Sequence, residues 1–402
     1  MRANRRNLTI LFFTLVVIML GFGMIIPILP FYIDTFGASG RALGILMAIF
    51  ATMQFIFAPM WGNLSDRYGR KPILMIGVLG NAISHLFFGL STQLWMLFAA
   101  RALAGVLSAA TFPTAMAYIG DSTSSEDRGG GMGILGAAMG VGMVLGPGMG
   151  GWLAVKSLST PFFIAAGLSM VALMFISLIL PESLPKSDRQ SSQGELQGPQ
   201  FGQLWRALFS PIGFLLFLAF LLSFGLTNFE GIFGLYALER FGYGPQQVGT
   251  ILTAIGLITA IAQGALTGPL TKRWGEVTII KASLLGTAVG FVIMLPADTF
   301  SAVLITVSLF ILSNAMLRPV VASLTSKRAT SGQGVAMGLN SSFMSLGRIV
   351  GPVWAGFIFD FNLNLPYISG AIIMLVGFLA SMLWLGKERL PMAEIEASAV
   401  SD

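Results

Sequence analysis

Residues 62–71 read Gly-Asn-Leu-Ser-Asp-Arg-Tyr-Gly-Arg-Lys and stand between two long apolar segments. Four charged residues are concentrated in this decapeptide, whereas residues 42–61 before it and 72–100 after it contain no Asp, Glu, Lys or Arg. A helix needs about 20 predominantly apolar residues to cross roughly 30 Å of hydrocarbon. The stretch therefore predicts a short polar turn between two membrane-spanning helices.

The same alternation of long apolar segments and short polar turns continues along all 402 residues. The chain is 55% hydrophobic and 10% charged, whereas a soluble domain has about 25% charged residues. The apolar segment after the basic N-terminus is too long for a signal peptide and is predicted to be a retained first helix. No cysteine is present, which excludes disulfides and thiol catalysis. We predict an all-α membrane protein with twelve spans, at about 8–33, 42–62, 73–91, 94–120, 130–154, 160–181, 212–237, 246–270, 277–296, 300–326, 333–359 and 364–386.

The net charge of +6 is distributed according to the positive-inside rule. With the N-terminus in the cytoplasm, most of the 23 Lys and Arg fall on the cytoplasmic side, and only Arg41, Lys156 and Arg240 fall outside. This asymmetry predicts cytoplasmic N- and C-termini. It also explains the basic composition without nucleic-acid binding.

A polar segment rich in Ser, Gln, Gly and Pro divides the chain into two sets of six spans. We predict an N-terminal bundle over 1–181, a cytoplasmic linker over 182–211, a C-terminal bundle over 212–388 and a cytoplasmic tail over 389–402. Gly268 follows Gly62 by 206 positions, and Pro319 follows Pro113 by the same number. This constant offset indicates an internal duplication, and duplicated six-helix halves around a midplane site are a transporter architecture.

Two glycine-containing stretches are predicted to control conformational change. In the loop between spans 2 and 3, Gly69 allows a tight turn, and the charged side chains can form a latch between the cytoplasmic faces of the protein. The candidate gating residues of this loop are Gly62, Asp66, Arg67, Gly69, Arg70 and Lys71. The second-half counterpart lacks an acid at Thr271. Span 5 carries glycines at four-residue spacing, which allow close helix packing; its candidates are Gly142, Gly146, Pro147, Gly150 and Gly151.

Ionisable residues inside a bilayer are costly, so each is a functional candidate. Glu230 is the clearest acid in mid-span, and a carboxylate there can couple a proton to a substrate because both compete for it. Its alternative role is an interhelical ion pair. Asp34, at the outer boundary of span 1, is either a coupling group or a solvated helix-end charge. The lone His85 is more simply a packed, neutral residue than a proton relay.

Aromatic and polar side chains from several spans are predicted to line the substrate cavity. The candidates for substrate contact are Glu230, Gln54, Asn228, Phe233, Arg318, Asn340 and Phe343. Arg318 and Arg348 are alternatively structural counter-ions.

Taken with these motifs, the chain resembles the major facilitator superfamily and, within it, the twelve-span drug–proton antiporters of the Bmr and NorA type. The resemblance rests on residues 62–71, on the span-5 glycines, on Gly21–Asp34 and on Gly338–Phe343. It implies the major facilitator fold with two pseudo-symmetric six-helix bundles, and proton-coupled export of hydrophobic, often cationic, drug-like molecules from the bacterial cytoplasmic membrane. It also implies a proton-transfer role for Arg101. One departure is Asn314-Ala315-Met316, where such relatives can carry a second acid.

Several alternatives stay open at this point. A similar exporter of tetracycline or sugar, or a lipid or lysophospholipid translocator, would have the same fold. No phosphate-binding G-x-x-x-x-G-K-[ST] stretch occurs, so ATP-driven transport is not supported. An integral-membrane enzyme would need a cluster of catalytic groups, which the sparse acids and single histidine do not supply. No cofactor or metal is expected, the partners are a small molecule, protons and membrane lipid, and a single chain is expected to suffice as a monomer.

Overall fold

A computed structural model describes residues 5–123, 128–189, 201–329 and 332–385. Within those ranges it contains twelve helices long and apolar enough to cross a membrane, which confirms the predicted all-α membrane fold. They are α1 Arg5–Ile25, α2 Gly40–Tyr68, α3 Arg70–Gly89, α4 Leu94–Ser122, α5 Arg128–Leu153, α6 Thr160–Ile179, α7 Gly213–Phe241, α8 Pro245–Trp274, α9 Glu276–Ile293, α10 Phe300–Lys327, α11 Gln333–Phe359 and α12 Leu365–Trp384.

Prolines interrupt two of the predicted spans. The first span was expected to continue to residue 33, but α1 ends at Ile25 and a separate short helix covers Leu29–Thr35. Pro27 and Pro30 cause the break, because neither has an amide hydrogen to continue the helical ladder. In α4 the helix is interrupted at residues 109–110, where Pro113 cannot donate to the carbonyl four residues earlier.

Helix α8 contains one π-helical turn over Ala262–Leu266. The wide turn leaves the carbonyl of Ala262 within reach of the Thr267 hydroxyl, which donates to it at 2.7 Å. The Gln263 amide donates to the carbonyl of Ala315 on α10 at 3.3 Å. A π-turn of this kind is an extra residue accommodated inside an α-helix.

The predicted linker includes regular structure. A helix over Phe201–Leu208 precedes α7 and packs on α7 and α11. Its apolar residues Phe201, Leu204, Trp205 and Leu208 recur at helical spacing, which favours an amphipathic helix. Residues 190–200 and the predicted tail 389–402 lie outside the described residues. The division into two bundles and a linker at these boundaries stays a prediction.

Packing is extensive within each predicted bundle. In the first, α1 packs on α5 and α6, and α3 packs on α4 and α6; in the second, α7 packs on α10, α11 and α12, and α9 packs on α10 and α12. Two large contacts join the bundles, α2 with α11 and α5 with α8. Both contacts depend on glycines that bring backbones together.

We call the end of the molecule where these glycines meet the closed end. A Cβ at Gly44 would collide with the carbonyl oxygen of Pro352, and a Cβ at Gly249 would lie 2.6 Å from the carbonyl oxygen of Pro147. Gly249 follows Gly44 by 205 positions, as Pro352 follows Pro147. The two bundle-to-bundle contacts are therefore pseudo-symmetric copies of each other.

The bundles separate toward the opposite end, which carries the loop 62–71 and is called the open end here. At this end, several glycines of α2, α5, α8 and α11 face open space, because a Cβ added to any of them would have no atom within 4 Å. They are Gly62, Gly133, Gly136, Gly140, Gly264, Gly268, Gly334 and Gly338. The gap between the bundles consequently opens toward the face that the charge distribution predicts to be cytoplasmic.

Candidate gating, coupling and substrate sites

The loop between α2 and α3 is built around Arg70, whose guanidinium lies between two carboxylates. Nη1 lies 2.5 Å from Asp66 Oδ1, and Nε lies 2.9 Å from Asp121 Oδ2 at the end of α4. Nη1 also donates to the Ser65 hydroxyl at 2.7 Å. Arg70 is buried, so this cluster holds three helix ends together.

Gly69 has a φ of +104°, a conformation that favours glycine. The turn lets the backbone amide of Arg70 donate to Glu182 Oε1 at 2.8 Å, while the Lys71 amide donates to Glu182 Oε2 at 3.3 Å. The Lys71 ammonium group donates to the carbonyl of Ser177 on α6 at 2.8 Å. All of these contacts lie within the first bundle or with Glu182, the first residue of the predicted linker.

The polar contacts of the predicted latch residues Asp66, Arg70 and Lys71 thus do not reach the second bundle in this conformation. Asp66 pairs with Arg70 of its own bundle, Arg67 is half-buried, and the Cβ position of Gly62 faces open space. A role for these residues in holding the bundles together in another conformation stays a prediction.

The second bundle has an equivalent ion pair that the sequence analysis did not identify. Glu276 Oε1 lies 2.5 Å from Lys327 Nζ and accepts a hydrogen bond from the Ser323 hydroxyl at 2.9 Å. Gly275, with a φ of +78°, precedes it as Gly69 precedes Arg70. The 206-residue offset already used for Gly62 and Gly268 would have located this pair.

The glycines of α5 form two contact surfaces. Gly142, Gly146 and Gly150 face α1, and a Cβ at Gly146 would lie 2.8 Å from the Cα of Gly23. Gly151 instead faces α8, with its Cα 2.9 Å from the Cβ position of Gly249. Pro147 lies between the surfaces inside the helix and contacts both Gly23 and Gly249.

Arg101 lies in a small cavity inside the first bundle, together with Gln54 and His85. The guanidinium carbon lies 4.5 Å from the ring centre of Phe50, a cation–π contact. Arg101 is 1% exposed and has no carboxylate partner among the described residues, and its Nε is without a hydrogen bond there. His85 is buried with Nδ1 2.7 Å from the carbonyl oxygen of Asn81.

Glu230 lies on the side of α7 that faces the first bundle. Thr227, one turn earlier, donates to the carbonyl of Gly347 on α11 at 3.2 Å. One turn later, the Cβ position of Gly234 is 2.5 Å from Pro30 of the first bundle. Residues at these spacings share a helix face, so Glu230 points into the gap next to the closed end. It is half-buried and has no ion pair or hydrogen bond within the described ranges.

The three predicted coupling residues are not brought into one cluster. Asp34 is exposed on the short helix Leu29–Thr35 at the closed end, where its charge acts on Glu239 together with that of Asp360. Arg101 lies inside the first bundle and Glu230 faces the gap. A shared role for these residues stays a prediction.

Two of the predicted substrate residues lie inside the second bundle. Asn228 is fully buried and its amide donates to the carbonyl of Pro366 on α12 at 2.9 Å. Phe233 is 2% exposed and its ring centre lies 4.8 Å from that of Phe229. The contacts described for both residues are therefore structural.

The remaining candidates lie on α10 and α11. Asn340 and Phe343 are buried, and the Asn340 amide lies 3.6 Å from the sulfur of Met344. Arg318 is exposed, as is Arg348. No carboxylate pairs with either arginine in the part of the chain that the structure describes, so the contacts give no support to a role as structural counter-ions.

Comparison with known proteins is consistent with this architecture. The model of the Major Facilitator Superfamily matches residues 11–243 and again residues 215–399. The nucleoside transporter NupG, a solved structure, superposes with a TM-score of 0.79 at 15% identity, covering 95% of this chain and 99% of NupG.

Curated relatives match over nearly the whole chain. Multidrug resistance protein 1 of Bacillus subtilis is 34% identical over 386 residues, which cover 96% of this chain and 97% of the relative. The quinolone resistance protein NorA of Staphylococcus aureus is 29% identical over 379 residues, covering 92% and 96%. The proteins found are transporters, not enzymes.

Proposed function

The chain belongs to the Major Facilitator Superfamily, and from this premise we propose that it is a proton-driven antiporter that exports hydrophobic, drug-like molecules by alternating access. The named relatives confer resistance to multiple drugs or to quinolones. Such resistance is what efflux of the drug from the cell would produce.

The observation that carries the proposal is the position of Glu230. It is an acid in the gap between the bundles, half-buried and without a partner in the described chain. A carboxyl group in such a place can bind a proton or stabilise a cationic group of a substrate, and each excludes the other. This competition is the simplest physical basis for exchange.

Alternating access requires the closed end and the open end to exchange roles. The glycine contacts of α2 with α11 and of α5 with α8 would separate, while the loops around Arg70 and Glu276 would approach. We assign the gating role to the loop 62–71, which lies at the open end, and to Pro147 and Gly151 of α5, which contact α8 of the other bundle. Gly142, Gly146 and Gly150 would hold α5 against α1 while the bundles move.

The location follows from the twelve spans and the charge asymmetry. The chain is a multi-pass membrane protein, and we place it in the bacterial cytoplasmic membrane with both termini in the cytoplasm. Its partners are then the exported molecule, protons and surrounding lipid. One chain supplies both bundles, so we expect a functional monomer.

The test is transport in everted membrane vesicles with an acidic interior. We expect wild-type protein to accumulate ethidium and to release protons when ethidium is added, and Glu230→Gln to lose both activities. Asp298→Asn serves as a control for loss of one acid, because Asp298 is exposed in the loop between α9 and α10. Unaltered ethidium-dependent proton release in Glu230→Gln would reject Glu230 as the coupling residue.

The other substrate classes are separate arms of the same experiment. Transport of tetracycline or a sugar without ethidium would favour a narrower exporter. Movement of lysophospholipid between leaflets, with no uptake of soluble compounds, would favour a lipid translocator. Either result would leave the fold unchanged and replace the drug-export proposal.

A further inference from the structure

Arg348 faces the gap between the bundles, one turn of α11 away from the closed end. Pro352, four residues later, has its carbonyl oxygen against Gly44 of α2 and its ring against Gly231 of α7, so this face of α11 lies between α2 and α7. Phe359, eleven residues after Arg348, lies 3.0 Å from the Cβ position of Gly40 on α2. Residues separated by four and eleven positions share a helix face. Pro352 and Phe359 are buried, whereas Arg348 is exposed. The two bundles therefore touch at the level of Pro352 and Phe359 and are separated at the level of Arg348.

Arg318 is exposed on α10, which packs on α11, the helix that carries Arg348. Repulsion from the Arg318 charge acts on the Arg348 guanidinium. Asn314, one turn before Arg318, lies 3.8 Å from the Cβ position of Gly225 on α7, which directs this face of α10 toward α7. Two like charges on neighbouring helices are thereby placed within electrostatic range of each other.

The protein supplies little to balance these charges. Arg348 Nη2 donates to the Ser345 hydroxyl at 2.9 Å, and this is a neutral group. Neither guanidinium has a carboxylate within the described ranges. The acid of the gap, Glu230, lies near the level of Pro352, about one helical turn closer to the closed end. Most of the donors of the two arginines are thus free for a ligand.

A pair of guanidinium groups with free donors is suited to a carboxylate, because their planar N–H groups match the two carboxylate oxygens. We propose that Arg318 and Arg348 form a carboxylate-binding subsite, and that the exported molecules include amphiphiles with a free carboxylate. This inference rests on the proposed export function and names a substrate class for it. A zwitterion would place its amine toward Glu230 and its carboxylate toward the arginines.

The test compares two dyes that differ only at the carboxylate. Rhodamine B has a free carboxylate, and its ethyl ester does not. Uptake of each dye is measured in everted vesicles with an acidic interior, for wild type, Arg348→Gln, Arg348→Lys and Arg206→Gln. Arg206 is an exposed arginine on the helix Phe201–Leu208 outside the gap, so its variant controls for loss of one positive charge.

We expect Arg348→Gln to raise the KM for rhodamine B by about tenfold or more, since a charge-assisted pair is lost. The KM for the ethyl ester should change by less than about twofold. Arg348→Lys should be intermediate for rhodamine B, and Arg206→Gln should match wild type for both dyes.

Equal effects of Arg348→Gln on both dyes would mean a structural role and would overturn the proposal. Wild-type protein that exports the ester but discriminates against rhodamine B would also overturn it, while leaving the export function intact. Failure of wild type to move rhodamine B, its ester and ethidium would reject the export function on which the subsite rests.

Discussion

Arg70 and Glu276 occupy equivalent positions in the two bundles and carry opposite charges. They are 206 residues apart, and their partners Asp121 and Lys327 are separated by the same number. Each pair joins the start of one helix to the end of another at the open end. The first pair is embedded in further contacts with Ser65, Asp66 and the Glu182 region, whereas among the described residues the second pair has one further side-chain partner, Ser323.

Exchange of charges should therefore succeed in one bundle and fail in the other. We expect Glu276→Lys combined with Lys327→Glu to transport within about twofold of wild type, because an exposed ion pair contributes at most about 1 kcal/mol. Arg70→Asp combined with Asp121→Arg should be strongly impaired, since the new acid at 70 would face Asp66. Ethidium uptake in everted vesicles, normalised to membrane expression, measures both.

A rescued swap at Arg70 and Asp121 would contradict this account. Such a result would mean that transport tolerates an acidic side chain at position 70 next to Asp66.

The close contact between α1 and α5 predicts that adding one methyl group to a glycine of α5 destabilises the protein at some positions and not at others. Gly146→Ala should lower the free energy of unfolding by about 1–3 kcal/mol, because its Cβ meets the backbone of Gly23. Gly140→Ala in the same helix should be neutral or slightly stabilising, since nothing lies within 4 Å. Thermal unfolding of the purified proteins in detergent compares the two, and equal melting temperatures would refute the contact.

Gly69 and Gly275, which precede Arg70 and Glu276 in the two bundles, allow a second comparison of matched alanine variants. Both glycines have positive φ with ψ near 160°, a region that essentially only glycine occupies, so alanine is strained at either position by roughly 1–3 kcal/mol. Only at Gly69 would the Cβ also meet Glu182 and Arg189. We expect Gly69→Ala to be clearly less stable than Gly275→Ala, measured by thermal unfolding in the same detergent. The reverse order would show that the Glu182 contacts do not shape this turn.

The closed end can be locked covalently, because the natural sequence contains no cysteine. Asp360, directly after α11, accepts from the Gly40 amide at 2.8 Å and pairs with Arg41 Nε at 3.1 Å, both on α2. We expect Arg41→Cys with Asp360→Cys to be joined by a short thiol cross-linker, with loss of ethidium uptake.

Two controls make the cross-linking experiment decisive. Each single cysteine variant should transport with and without the reagent. A pair at the open end, Gly62→Cys with Gly338→Cys, should resist the same short reagent in this conformation, since both positions face open space. Full transport after complete cross-linking of the closed-end pair would contradict alternating access.

The twelve helices were predictable because each span needs only length and low charge, and both are local properties of the sequence. The breaks at residues 26–28 and 109–110 follow from Pro27, Pro30 and Pro113, but their positions depend on how each proline is packed. The helix Phe201–Leu208 was not predicted, because Ser, Gln and Gly dominate the preceding residues and indicate a flexible linker.

The candidate site was less predictable because residue type does not determine which way a helix face points. Glu230 was found because an acid in a span is rare. Asn228 was chosen for its polarity, yet its amide nitrogen donates to the carbonyl of Pro366 inside the second bundle. The exposure of Arg348 depends on the divergence of α2 and α11, which no local pattern encodes.

The π-turn of α8 has a consequence for how the two bundles came to differ. On its closed-end side, Gly249 of α8 corresponds to Gly44 of α2 with an offset of 205, and on its other side Gly268 corresponds to Gly62 with an offset of 206. The turn therefore holds a single inserted residue. In a regular helix that residue would rotate everything after it by about 100°, and the charged loop with Glu276 would point away from Lys327. The widened turn accommodates the extra residue locally. The faces of α8 on both sides of the turn therefore point in the same directions as the corresponding faces of α2.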